Sequence, residues 1–295
     1  MTLAELVNDH LFDIDGVTVG TGGEWPALSS VEGLDSIPEY RVLDSEKPQD
    51  HGSFQLGSDY MQTRVVEMTI GMEDDYGSTT YQAKIDALKR VMRPRHINNE
   101  MILRWRYNGE NARRLYCRPR RCNMPIDEIS YHGIRRADLM FEAGDPRIYD
   151  DSETFVTLFP GFTAGGLSFA HGFPHSFGSS VGGGGLVSNL GNFDTPIYGR
   201  VTAHSDGIQG WSLENVNSGE VFSMDIVMGD GEFLDFNFRD KTVLLQGTAT
   251  RTNKVNRPES TWFTLEPGDT SLLFSVDPIA NGSATMDLFF RSAWI

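Results

Sequence analysis

Between residues 231 and 276, apolar and polar side chains exchange places at nearly every step. In the run Phe233-Leu234-Asp235-Phe236-Asn237-Phe238, the residues Leu234, Phe236 and Phe238 fall on one face and Phe233, Asp235 and Asn237 on the other, because successive side chains of a strand point to opposite sides. Arg239-Asp240 turns the chain into the aliphatic run 242–245, and Pro267-Gly268 precedes another at 272–276. Residues 186–192, 195–201 and 211–215 read as further short strands, with a turn at 217–220 and a last strand marked by Met286, Leu288 and Phe290. Strands this short at this spacing predict a sandwich of two sheets.

The first half is also β-rich. Residues 11–19, 40–43, 64–72, 100–107, 114–118 and 134–141 are predicted strands, and Asn108-Gly109 between two of them is a hairpin signal. One helix interrupts the pattern: Tyr81, Ile85, Leu88 and Met92 draw a single apolar stripe, Thr79 with Gln82 offers a capping box, and Pro94 stops it. The boundary falls at Glu142 to Asp150, where Pro146 holds Asp145 in extended geometry. The expected domains are therefore 1–149 and 150–295, a division that also suits the length of 295 residues. Ten of the 31 residues from 161 to 191 are glycine, so this entry into the second domain is expected to be mostly loop, anchored at Phe169, Phe173 and Phe177.

Charge changes the picture in the middle of the chain. Residues 1–80 carry 16 acids and 3 bases, residues 81–150 carry 9 acids and 15 bases, and residues 151–295 carry 16 acids and 7 bases. Arg104 and Arg106 alternate with Leu103, Trp105 and Tyr107, and after Asn108-Gly109 come Arg113, Arg114, Arg118, Arg120 and Arg121. This basic island reads as an interface that meets acidic neighbours, or as a face for nucleic-acid phosphates. The acidic residues 1–15 contain no Lys or Arg and no apolar run reaches membrane length; a cytoplasmic place of synthesis without a signal peptide is expected.

Reactive chemistry is sparse. Cys117 and Cys122 lack the partners of a zinc site and read as buried or half-buried thiols. The histidines are scattered; only His171 and His175 share a segment, and His51 sits in an Asp50-His51-Gly52 turn. The pairs Asp74-Asp75, Asp127-Glu128 and Asp150-Asp151 read as solvated loop carboxylates rather than facing acids. No catalytic residue, metal site or cofactor site is assigned, and the Gly-rich run lacks the ending of a phosphate loop. Trp211 and Trp262 are the candidates for stacking on a host glycan, should the sandwich bind sugar.

The order of these elements resembles the distal tail proteins of siphophages and related phage minor tail proteins. The matching pieces are Asp50-His51-Gly52 ahead of Gly57, Asp59, Arg64, Val66, Met68 and Ile70, then Asp145-Pro146-Arg147 with Tyr149. They continue with Asn189, Gly191-Asn192, Thr195-Pro196, Tyr198-Gly199 and Val201, the hairpin at Gly219-Glu220, Leu234 with Asp235, and the closing Trp262 to Asp269. The resemblance implies a mainly β protein: an N-terminal split β-barrel-like belt domain with one helix, and a C-terminal galectin-like β-sandwich, or jelly roll. It further implies a structural, non-enzymatic hub in the virion tail tip or baseplate, assembled in the host cytoplasm. The hub would be a homo-oligomeric ring, usually a hexamer, around a DNA channel. Its expected neighbours are the tail tube protein, tail tip and tail-associated proteins and the tape measure protein. A carbohydrate-binding module that mediates host attachment is the alternative.

Overall fold

A computed structural model of the chain describes residues 11–20, 22–74, 78–96, 99–106, 111–164, 179–181 and 183–295. Asn108-Gly109, the pair His171 and His175, and Phe169, Phe173 and Phe177 lie outside the described residues. Contacts divide the chain into two units, Met1–Ser152 with Ile295, and Glu153–Trp294.

The first unit runs β1 (Leu11–Ile14), β2 (Val17–Gly20), β3 (Ala27–Glu32), β4 (Tyr40–Arg41), β5 (Asp44–Glu46), β6 (Ser53–Gln55), β7 (Tyr60–Met61), β8 (Arg64–Glu73), α1 (Thr79–Val91), β9 (Met101–Arg106), β10 (Arg113–Asn123), β11 (Ile134–Ala143) and β12 (Ile148–Asp150). Hydrogen bonding orders the main sheet β2-β1-β9-β10-β11-β8-β3, with β12 beside the start of β10. Among the described residues the path stays open and no closed barrel forms. The predicted strand 11–19 is in fact a hairpin, because Asp15 and Gly16 take φ of 50° and 103° and reverse the chain. Strand β10 continues beyond the predicted 118 and carries Pro119 into a bulge before Arg121. A proline is tolerated there because the bulge breaks the ladder that its missing N–H would have joined.

Helix α1 follows its predicted stripe, with Tyr81, Ile85 and Leu88 buried. Its cap lies one residue earlier than predicted: the Ser78 side chain accepts from the Tyr81 N–H at 3.0 Å, so Thr79 is already helical. The core of this unit gathers Phe12, Ile14, Trp25, Met68, Ile70, Leu103, Trp105, Leu115, Leu139 and Phe141, each almost fully buried. Apart from Trp25, which precedes β3, these lie at alternate positions of strands β1, β8, β9, β10 and β11.

The second unit contains β13 (Thr154–Leu158), β14 (Phe162–Ala164), β15 (Ser179–Val181), β16 (Gly184–Asn189), β17 (Thr195–Pro196), β18 (Tyr198–His204), β19 (Ile208–Asn215), β20 (Glu220–Met228), β21 (Phe233–Asn237), β22 (Thr242–Leu245), β23 (Ala249–Thr250), β24 (Thr264–Leu265), β25 (Gly268–Pro278), β26 (Ser283–Phe290) and β27 (Ala293–Trp294). One antiparallel sheet is ordered β13-β26-β18-β21-β22-β23 and the other β16-β25-β19-β20. A single apolar cluster lies between them: Val201, Leu234, Phe236, Met286 and Leu288 from the first meet Trp211, Leu213, Phe222, Leu272 and Phe274 from the second. The faces predicted for β21 hold, with Leu234 and Phe236 buried and Phe233, Asp235 and Asn237 half-exposed.

The opening of this unit shows why its sequence is restricted. Asn189 is buried, and its amide donates to the carbonyl oxygens of Phe193 at 2.7 Å and Leu265 at 3.1 Å. Its Oδ1 accepts from the N–H groups of Gly191 at 3.1 Å and Ala293 at 3.3 Å. A Cβ on Gly191 would stand 1.7 Å from the Ala293 carbonyl oxygen, so only glycine fits.

Candidate functional site

The predicted basic face divides into two populations. On β9 and β10 the side chains of Leu103, Trp105, Leu115 and Cys117 enter the core, while Arg104 and Arg114, paired in register, share the opposite face. Both arginines are buried. Arg104 is ion-paired with Asp13, which sits opposite it on β1, its Nε donating at 3.0 Å, and its Nη1 lies 3.7 Å from Asp151. Arg114 donates from Nε and Nη2 to the same Asp151 carboxylate at 2.8 and 2.5 Å, and from Nη2 to the Asp151 carbonyl oxygen at 3.1 Å.

These two guanidiniums therefore hold the end of the first unit rather than face a partner. Asp150 and Asp151, predicted to be solvated, are part of that arrangement, with Asp150 itself buried. The reason is topological: β12 pairs with the start of β10 and brings the acids beside the arginines. Arg120 and Arg121 point outward and pair with Glu142 at 2.6 Å and Glu67 at 3.4 Å. Arg118, Arg106 and Arg113 are half-buried. The bulge at Pro119 separates the two groups, so the seven arginines do not make one continuous face.

Other predicted residues have structural work. Asp127 caps a short 3-10 turn, accepting from the Ser130 N–H at 3.0 Å, and those hydrogen bonds hold its carboxyl below the usual range. Asp74 pairs with Lys84 at 3.0 Å. Cys117 is buried and Cys122 half-buried, both as free thiols. Trp211 is a core residue, with ring centroids 5.6 Å from Phe222 and 5.5 Å from Phe236. Trp262 packs on the same core, 4.5 Å from Phe222 and 5.1 Å from Phe238. Trp211 is thus buried in the core, while Trp262 is half-buried against it. Among the described residues no group of His, Cys, Asp and Glu is arranged to hold a metal ion.

The stretch between β3 and β8, in which the sequence marks only the strand at 40–43 and the turn at 50–52, carries an exposed apolar surface. Strands β4 and β7 pair through Tyr40 with Met61 and Arg41 with Tyr60, and β5 and β6 through Asp44 to Glu46 with Ser53 to Gln55. Together they make an antiparallel ribbon that closes where the Lys47 N–H donates to the Gly52 carbonyl at 3.1 Å. Ile37, Tyr40, Val42, Leu43, Phe54, Leu56 and Tyr60 are each at least half exposed, with Leu43 at 63%. Arg41 and Lys47 lie over the rings of Tyr60 and Phe54 at 5.6 and 5.5 Å. A two-stranded ribbon without a core of its own is marginal in water, and apolar side chains gathered on it mark a surface meant to be covered. The available signal was the cluster of aromatics and aliphatics within acidic, turn-rich sequence.

Residues 190–294 match the family model described as the siphovirus-type tail component, C-terminal domain. No curated protein matches the chain by sequence. Among solved structures, the Dit protein of phage SPP1, described as a paradigm of the hub adsorption apparatus in phages infecting Gram-positive bacteria, is similar with a TM-score of 0.61 at 14% identity. That similarity covers 97% of this chain and 99% of that one. The phage p2 baseplate in its activated conformation is similar with a TM-score of 0.48 at 6% identity, over 88% of this chain and 89% of that one. Residues 190–294 are thus similar to the siphovirus-type tail component C-terminal domain, and the chain as a whole shares its fold with SPP1 Dit.

Proposed function

We propose that this chain is a structural hub of a phage tail tip or baseplate. In this reading six copies form a ring through the first unit and leave the second unit to meet other tail components. The exposed apolar ribbon, residues 37 to 61, carries the reading. Self-association is the outcome that would cover it, and the acidity of the ribbon, with Asp44, Glu46, Asp50 and Asp59, suits a basic neighbour such as the outward-pointing Arg120 and Arg121 of the next copy. The family match over residues 190–294 and the shared fold with SPP1 Dit support the same assignment.

The role is that of an adaptor rather than a catalyst. Its expected partners are the tail tube protein, the tape measure protein and the tail-associated tip proteins, with DNA passing through the ring lumen. The chain would assemble in the host cytoplasm and leave it as part of the virion. Electron cryomicroscopy of intact tails tests this: density for a ring of this fold between tube and tip is expected. Tails whose tip contains no copy of the chain would contradict it.

A further inference from the structure

The outer face of the sheet β13-β26-β18-β21-β22-β23 is not a plain solvated surface. It contains a shallow groove of about 580 Å³, within the range of ligand sites in general, ~300–1,000 Å³. Two rows of side chains run across this face, set by strand register; Tyr198, Phe289, Arg200, Asp235 and Asp287 line the groove, and Phe155 stands next to Phe289 outside that lining. One is aromatic, with Phe155 opposite Phe289 and Phe289 opposite Tyr198. The rings of Tyr198 and Phe289 are stacked at 5.9 Å and 16°, and Phe289 lies 5.0 Å from Phe155, which is 54% exposed.

The neighbouring row is charged. Arg200 lies between Asp287 and Asp235 on the flanking strands. It donates to both oxygens of Asp235, at 2.6 and 3.1 Å, and its guanidinium stacks 3.9 Å from the Phe233 ring. Asp287 is fixed by the Thr157 hydroxyl at 2.8 Å. Each polar group is thus held by a partner while keeping capacity for further hydrogen bonds, since a carboxylate oxygen accepts more than one and a guanidinium carries five N–H donors.

We propose that this groove binds a neutral oligosaccharide. A pyranose ring has an apolar C–H face and an equator of hydroxyls, which are both donors and acceptors. The near-parallel rings of Tyr198 and Phe289 offer an apolar platform for the face, and the Asp-Arg-Asp row offers acceptors and donors side by side for adjacent hydroxyls. Charge selects neutral over anionic ligands: Asp235, Asp240, Asp287 and Glu153 line the groove with Arg200, so phosphate-bearing polymers would be repelled. A metal is disfavoured because the Arg200 guanidinium already places a cation between Asp235 and Asp287. The surface belongs to the second unit alone, so its test does not depend on ring formation.

Isothermal titration of the full chain with maltotetraose, cellotetraose, N-acetylchitotetraose and a rhamnose trisaccharide provides that test. Saturable binding of at least one of these, one site per chain, is expected. Phe289→Ser and Arg200→Met should each weaken it tenfold or more, whereas Phe54→Ser on the ribbon should leave it unchanged. Arg200→Lys, which keeps the charge but not the two-pronged donation, serves if the Met variant does not melt like the parent. Absence of binding to all four sugars overturns the proposal, as does binding that survives both groove substitutions.

Discussion

Arg64 reaches across 82 positions to donate its Nε–H to the carbonyl oxygen of Pro146 at 2.9 Å. From the same guanidinium, Nη1 lies 2.7 to 2.8 Å from the carbonyl oxygens of Gly33, Leu34 and Ser36. The side chain is 1% exposed, and burial lowers its pKa, with the charge of Asp35 acting in the opposite sense. One cation thereby joins the loop leaving β3 to the segment leaving β11. Arg64→Met would strand these carbonyls, and a loss of roughly 2–4 kcal/mol is expected from unsatisfied buried acceptors. Urea unfolding followed by tryptophan fluorescence measures it; a change under half a kcal/mol would contradict the assignment.

The basic island should separate by mutation as it does by burial. Arg104→Ala leaves Asp13 buried without its charge partner and should cost about 3–5 kcal/mol. Arg120→Ala removes an exposed pair with Glu142 and should cost at most about 1 kcal/mol. Thermal melts of the two variants check the order. Equal losses would show that Arg104 is not the anchor its geometry indicates.

In the second unit, Asn189→Ala removes four hydrogen bonds at one buried side chain, and Gly191→Ala forces a Cβ into the Ala293 carbonyl. Each should destabilise by roughly 2–4 kcal/mol. Limited proteolysis should report cleavage within residues 153–294 first. Parent-like resistance of either variant would contradict the close packing of this corner.

Much of the fold was legible because the two sheets of the second unit bury mostly alternate residues, and Phe233 to Phe238 declare that period openly. Helix α1 was equally plain from Tyr81, Ile85 and Leu88. The site was less so. Arg104 and Arg114 look like a cationic face in sequence because nothing local reveals Asp13 and Asp151, which are brought to them by pairing with distant strands. Trp211 could not be told from a surface aromatic until the opposite sheet supplied Phe236. The ribbon was legible only as the strand at 40–43 and the turn at Asp50-His51-Gly52, because its strands are only two or three residues long and bury nothing of their own, so no period marks their pairing. The outer groove escaped because its rows are assembled across strands distant in sequence, with Phe289 and Asp287 from β26, Tyr198 and Arg200 from β18 and Asp235 from β21.

Cys117 gives a pH signature. It is fully buried, and that burial pushes its thiol up to about 12 from an ordinary value of 9.0. The folded state therefore favours the neutral thiol. Its contribution is fully present below pH 9, and stability falls as pH rises from about 9 to about 12 while only the unfolded chain ionises there. Comparing urea midpoints of the parent and Cys117→Ala from pH 8 to 10.5 isolates this effect from other titrating groups. The gap between the two should shift toward the variant as pH rises, and an unchanging gap would contradict it. Alkylation of Cys117 at pH 8 should likewise await unfolding.

The central claim is that copies of this chain meet through the ribbon of the first unit. Multi-angle light scattering of the parent beside a Leu43→Ser, Phe54→Ser, Leu56→Ser variant, over a range of concentrations, tests it most directly. The account predicts a concentration-dependent multimer approaching six chains for the parent and a folded monomer for the variant. A parent that stays monomeric throughout, or a variant that assembles like the parent, would contradict it.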